Sequence, residues 1–219
     1  TSDITLDPGD LGKTVSNYIG KSQFNNPNFI GKIDDFRIYS KALSSAEINS
    51  IMNSDMIAWY DFDTVSEDLA ADVSGHGQNA ALIPQYSLIE ENGISGNAVR
   101  LPSGDNGGYV ELPEGIVSDL EDVSVAAWVY MEQNQSYQRI FDFGTGTDKY
   151  MYLLTSGRNE GAEGLAFAIT SDGWSNEQCV AKGEDLETGR WTHVAIVLSG
   201  DTGTLYEDGQ IVATSDDIM

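Results

Sequence analysis

Short apolar stretches, closely spaced and broken by turn residues, govern what this chain can fold into. Residues 123–130 (Val-Ser-Val-Ala-Ala-Trp-Val-Tyr) read as a buried strand, followed by a polar loop over 132–138. Further strands are predicted over 139–143, 150–154, 164–169 and 191–198. Residues 203–206 and 210–213 flank Glu207-Asp-Gly209, a tight hairpin signal, because Asp and Gly tolerate the positive φ such a turn needs. The 23 glycines outnumber the 5 prolines and fall with Asn, Asp and Ser between the apolar stretches, which marks them as turns. Strands at this spacing, without long helices between them, make an all-β, two-sheet antiparallel sandwich or jelly roll. One short helix is expected: Ser44-Ser-Ala-Glu47 is a capping box, opening a helix over 45–52 that carries Ile48 and Ile51 inward.

The order of the segments is unusual. Gly31-Lys-Ile-Asp-Asp-Phe-Arg-Ile-Tyr39 and the helix after it read as the end of a domain, whereas Met56-Ile-Ala-Trp-Tyr-Asp-Phe-Asp63 reads as the beginning of one. These segments resemble the bacterial laminin-G-like, concanavalin A-like jelly-roll family of lectins and glucanases. The resemblance is carried by Trp59-Tyr-Asp-Phe-Asp63, by the turn Asp72-Val-Ser-Gly-His-Gly-Gln-Asn-Ala80, and by Gly96-Asn-Ala-Val-Arg-Leu101. Tyr109-Val-Glu-Leu112, the Ala-Ala-Trp-Val strand, Trp191-Thr-His-Val and Leu205-Tyr-Glu-Asp-Gly209 continue it. The family closes with motifs found here at Tyr18 to Ser22 and Gly31 to Tyr39. Residues 1–52 are therefore expected to supply the closing strands and residues 53–219 the opening and central ones, together one permuted domain. Two origins give this order, a natural circular permutation or a piece cut across tandem repeats; the occurrence of such domains in arrays favours the second. Termini that lie close make either tolerable. A closed monomer is expected in preference to a swapped dimer.

Composition narrows the function. The 219 residues hold 35 acids against 11 bases, a formal charge of −24, which opposes binding to nucleic acid or to an anionic membrane surface. The same balance suits a neutral glycan or a hard cation. Cys179 is the single cysteine, so no internal disulfide and no cysteine-based zinc site can form. No apolar run approaches the roughly 20 residues that span a bilayer, and no secretory leader is recognisable at Thr1.

Three kinds of chemistry are open to residues of these types. Calcium takes six to eight oxygen ligands on bendable loops. Asp63, Asp72 and the turn 74–79, with Asn79 at its end and two glycines within it, are of the right type. Asp34 and Asp35 lie on the strand expected beside them, and the resemblance implies a structural calcium in this region. The plainer reading is an Asx-type turn at Asp72 and an ordinary acid at Asp34. A sugar surface needs loop aromatics beside planar polar groups. Trp174, in Ser171-Asp-Gly-Trp-Ser-Asn176, has small polar neighbours and so no apolar reason for its size. Tyr109, Tyr137, Arg139 and Tyr150 are the other candidates for ligand contact. Lys21, Gln23 and Asn25 read as solvated, and Trp59, Trp128 and Trp191, in strand patterns, read as core. His193, in an alternating apolar strand, reads as structural.

Catalysis finds little support. A retaining glycosidase places two carboxyl groups about 5–5.5 Å apart, and related jelly-roll glucanases carry Glu-x-Asp-x-x-Glu on a strand. That run is absent here; Glu90-Glu91, Glu184-Asp185 and Asp216-Asp217 are adjacent acids that point apart or lie in loops. No Gly-x-Ser-x-Gly elbow or P-loop occurs. The expectation is a non-catalytic, lectin-like, carbohydrate-binding module of a larger secreted or surface glycoside hydrolase, extracellular and bacterial, binding a polysaccharide or glycan. A structural or protein-binding repeat of an adhesin is the alternative.

Overall fold

Alternation of inward and outward side chains builds two packed sheets. The computed structural model describes residues 5–44, 48, 56–66, 68–83, 88–101, 107–159 and 161–216, and the side chains of all these except residues 35 and 88–91. The first strands are β1 (Ser16–Ile19), β2 (Gly31–Tyr39), β3 (Met56–Tyr60), β4 (Val65–Ser66), β5 (Leu69–Ala70) and β6 (Ala80–Ile83). Then come β7 (Leu88–Glu91), β8 (Asn97–Leu101), β9 (Tyr109–Glu111), β10 (Val123–Met131), β11 (Arg139–Gly144) and β12 (Tyr150–Asn159). The last are β13 (Ala162–Thr170), β14 (Gln178–Ala181), β15 (Trp191–Ser199), β16 (Thr202–Glu207) and β17 (Gln210–Ser215). One sheet has the order β14-β13-β12-β11-β1-β9-β6-β5-β4 and the other β17-β16-β15-β10-β2-β8-β7, with β3 also paired to β2. The concanavalin A-like, two-sheet antiparallel sandwich expected from the sequence is the observed fold.

The core follows from the period of two. On β10, Val123, Val125, Ala127, Val129 and Met131 face inward, against Phe141, Phe143, Met151, Leu153 and Phe167 of the nine-stranded sheet. Phe36 of β2 reaches across to Phe141 and Phe143, with ring centroids 6.0 and 6.2 Å away in edge-on geometry. Asp208 and Gly209 adopt φ of 48° and 76°, so the Asp-Gly turn between β16 and β17 closes as its sequence dictates.

The N-terminal strands occupy the middle of the molecule. β1 lies between β11 and β9, while β2 lies between β10 on one side and β8 and β3 on the other. Most of the expected helix falls outside the described residues; the Ile48 N–H does donate to the Ser44 carbonyl at 2.9 Å.

The reading of Trp59, Trp128 and Trp191 as core needs correction. They are half-buried on the outer face of the eight-stranded sheet, because their registers pair them with outward residues. Trp128 packs edge-on to His193 at 5.2 Å, Tyr130 to Trp191 at 5.8 Å, and Arg37 lies 4.5 Å from the Trp59 ring. An apolar strand two-faced in sequence can be two-faced in space, one side in the core and the other clad in aromatic cross-strand pairs.

Candidate functional site

The turn between β13 and β14 projects Trp174. Thr170 ends β13; its Oγ1 accepts from the Asp172 N–H at 3.1 Å and donates to the Gly173 carbonyl at 2.9 Å. Gly173 supplies a φ of +77°, and its N–H donates to the Asp148 carbonyl at 2.8 Å, tying this turn to the β11–β12 turn. Asn176 Nδ2 donates to the Asp172 carbonyl and carboxylate at 3.0 and 3.2 Å. A braced 3-10 turn, Trp174–Asn176, results, and its indole is 70% exposed. Asp172, Ser175 and Asn176 lie in the same turn as Trp174, and Asp148 lies in the turn bonded to Gly173. Such a pairing, an aromatic surface for C–H groups with hydrogen-bonding side chains beside it, suits a sugar.

The outer face of the nine-stranded sheet gathers a second set. Cys179, Ala168, Tyr152, Asp142, Tyr18, Glu111 and Ala81 stand in register across seven neighbouring strands. Asp142 is 0% exposed and accepts from the Gln23 backbone N–H at 3.1 Å and from its Nε2 at 2.9 Å. Arg139, 4% exposed, holds its Nε 3.6 Å from Asp142 and its guanidinium 3.6 Å from the Tyr152 ring. Burial lifts the Asp142 carboxyl above its ordinary range, against the downward pull of Arg139 and of the Gln23 donors. Glu177 accepts from the Tyr150 and Tyr152 hydroxyls at 2.6 and 3.0 Å. Burial first, and Glu177 second, push the Tyr150 phenol upward. Phe24 closes over Tyr150, edge-on at 5.3 Å.

Nearer the other side of that face, Tyr18 and Tyr109 meet edge-on at 5.1 Å. The Lys21 ammonium sits 4.4 and 4.1 Å from their ring centroids. Burial, then Glu111 and Tyr18, raise the Tyr109 pKa.

The aromatic residues singled out in the sequence thus do not converge on one patch. Trp174 is on an exposed turn at one end of the sheet. Tyr109 is half-buried on β9, sixth in the sheet, and Tyr137, at φ +67°, donates to Asn159 at 3.0 Å. Tyr150 is fully buried with Phe24 edge-on against it, and Arg139 is 4% exposed, so a ligand reaches neither without displacing the groups over them. Sequence reasoning missed Tyr18, Tyr152, Asp142 and Glu177. The alternation of Tyr150 and Tyr152 was the available signal; the register that adds Asp142 and Tyr18 was not.

The oxygen ligands divide similarly. Asp72 accepts from the N–H groups of Trp59, Ser74 and Gln78 at 3.0, 2.9 and 2.9 Å, while its own N–H donates to Asn79 Oδ1 at 2.9 Å. Burial opposes its ionisation, yet the bonds from Ser74, Trp59 and Gln78 prevail and hold its pKa below the usual value. That is an Asx-type turn, with three of the roughly four lone-pair sites of the carboxylate taken by N–H donors. Asp34 and Asp63 instead grip one tight turn from two sides. Asp34 accepts from the Ile94 N–H at 2.9 Å and Asp63 from the Asn97 N–H at 2.6 Å. A side chain at Gly93 would run into Asp34, and one at Gly96 into Asp63. The Asp35 side chain is outside the described ones. Among the described residues no three His, Cys, Asp or Glu side chains cluster closely enough to hold a metal.

Residues 1–49 and 104–218 match the family described as the Concanavalin A-like lectin/glucanases superfamily, laminin G type. A crystal structure of an S-layer domain-containing protein (residues 221-444) from Clostridium thermocellum ATCC 27405 is similar at 33% identity. The likeness covers 74% of this chain and 72% of that one, with a TM-score of 0.41. No curated protein matches the chain.

Proposed function

The chain belongs to the concanavalin A-like lectin/glucanase superfamily as a laminin G-like domain, and from that premise we propose that it is a non-catalytic glycan-recognition module. The observation that carries this reading is Trp174, 70% exposed on a turn fixed by hydrogen bonds from Thr170, Gly173 and Asn176. Leaving an indole in water forgoes roughly 1.5–3 kcal/mol of burial, so a rigid turn that does so has a use for the ring. Preorganised aromatic contact loses little conformational entropy on binding. The non-catalytic reading is supported by two acids on the nine-stranded sheet's outer face. Asp142 and Glu177 are both engaged in structural bonds to Gln23, Arg139, Tyr150 and Tyr152.

Such a module holds a parent protein on polysaccharide and raises effective concentration. The parent in this reading is a secreted or surface glycoside hydrolase, and the domain lies outside the cell, where such polysaccharides are. Calcium belongs to the same proposal at Asp34 and Asp63, with carbonyls of the turn they grip. Bound there, it would cross-link β2 and the segment after β3 to that turn as a structural ion.

Binding to an array of plant and host glycans, in calcium-containing buffer, tests the reading with wild type beside Trp174→Ala. Binding that the substitution abolishes is expected. Binding that survives it would move the site away from this turn, and a blank array would favour an adhesin or spacer repeat.

A further inference from the structure

We propose that residues 5–48 form a donor unit that a second copy of this chain can supply, so that copies assemble by exchanging β1 and β2. The pairing pattern carries the inference. β1 and β2 lie in different sheets and do not pair with each other; their partners β11, β9, β10, β8 and β3 all belong to residues 56–216. Without the donor, the nine-stranded sheet parts between β11 and β9, and the eight-stranded sheet between β10 and β8. Each break exposes unpaired N–H and C=O groups along edge strands, the kind of surface that captures another strand. The donor also brings Ile19, Phe29, Ile33, Phe36 and Ile38, all fully buried in the core between the sheets.

The flanks of the donor are bound to the same acceptor. Leu6 donates to the Gln178 side chain at 3.1 Å, and Gly9 to the Leu120 carbonyl at 2.8 Å. Downstream, Ser124 Oγ donates to the Lys41 carbonyl at 2.8 Å and accepts from the Leu43 N–H at 3.3 Å. Leu43 and Ile48 pack on Ala126, Ala195, Val197 and Tyr206, on the outer face of the eight-stranded sheet. Lys41, Leu43 and Ile48 therefore belong with the donor, and residues 49–55 join it covalently to the acceptor. Seven extended residues span up to about 24 Å, enough to pass between adjoining copies. Exchange re-forms the same contacts between chains, so it requires no interface beyond the one inside the fold. The acceptor is too open to persist alone, which places the exchange during folding.

Residues 1–50 and 51–219, produced as separate chains in one cell with a tag on the smaller, provide the test. The larger piece is expected to co-purify at one to one, and the pair to unfold in a single transition near that of the intact chain. Phe36→Asp in the donor should cut capture at least tenfold, whereas Trp174→Ala should leave it unchanged, separating this result from any result on glycans. A circular permutant running 51–219, a short Gly/Ser linker, then 1–50 accompanies it, since Leu6, through its bond to Gln178, and β17 both lie against β14. A folded permutant with pieces that stay apart would overturn donation between chains. A permutant that fails as well would overturn the division into two units. Refolding the intact chain at rising concentration should give a rising dimer fraction by light scattering; a monomer at every concentration would overturn exchange between copies.

Discussion

Asp142 and Gln23 hold each other through two hydrogen bonds, from the Gln23 backbone N–H at 3.1 Å and from its side-chain amide at 2.9 Å. The pair fixes the segment after β1 onto the centre of the nine-stranded sheet, and with it Phe24 over Tyr150. Arg139 shares the buried carboxylate, so removing Asp142 strands a cation that is 4% exposed.

Asp142→Ala should therefore cost about 3–5 kcal/mol, the usual penalty for breaking a buried pair from one side. Urea unfolding at pH 7 measures it. A loss below about 1 kcal/mol would show that Arg139 finds other compensation. Because burial raises the Asp142 pKa, the folded state holds its proton more tightly than the unfolded chain does. This group's contribution grows as pH falls through the folded value and is complete below about 3.9, the unfolded value. Asp142→Asn should accordingly lose stability with acid more steeply than wild type.

Asp185 works in the opposite sense. Hydrogen bonds from Arg158 at 2.6 and 2.7 Å, joined by Asn134 and Ser156, bring its pKa down to about 2. Its stabilisation is fully present above about 3.9 and disappears as pH falls toward 2. Between pH 4 and 2.5, Asp185→Asn should lose less stability than wild type does, by urea titration at each pH. Equal losses would assign acid unfolding to other groups.

Gly96 has a φ of +73°, and a Cβ there would fall 2.2 Å from Asp63 Oδ1. Gly96→Ala should destabilise by about 1–3 kcal/mol through backbone strain and the displaced carboxylate. Calcium bound at Asp34 and Asp63 should raise Tm in wild type, by the equivalent of about 2.7 kcal/mol at a hundredfold excess over Kd, and less in Gly96→Ala. A wild-type melting curve indifferent to both calcium and chelator removes the ion from this turn.

Cys179 is half-buried on β14, and burial, then Glu177 and Glu163, push its thiol up to about 12. At pH 8 almost none is thiolate, so iodoacetamide should modify it at least about a hundredfold more slowly than a free cysteine. Mass spectrometry over time decides; rapid labelling would mean that β14 opens at the sheet edge.

Much of the architecture was legible in the residues themselves. The strands over 123–130 and 191–198 were legible as strands, and Asp208-Gly209 fixed the last hairpin, because both are local consequences of backbone geometry. Trp174 stood out for a local reason too: five small polar neighbours and no apolar partner in sequence. Tertiary structure decided what local pattern cannot encode. Trp59, Trp128 and Trp191 went to the outer face because β2, β3, β10 and β15 pair in one particular register, set between segments about 20 to 100 residues apart. Asp142 joined Gln23, and Tyr18 joined Tyr109, only when β1 entered between β11 and β9. A sequence specifies strands through neighbours along the chain. Which strands become neighbours is settled by the burial of two whole faces at once, and the sites on those faces follow from that choice.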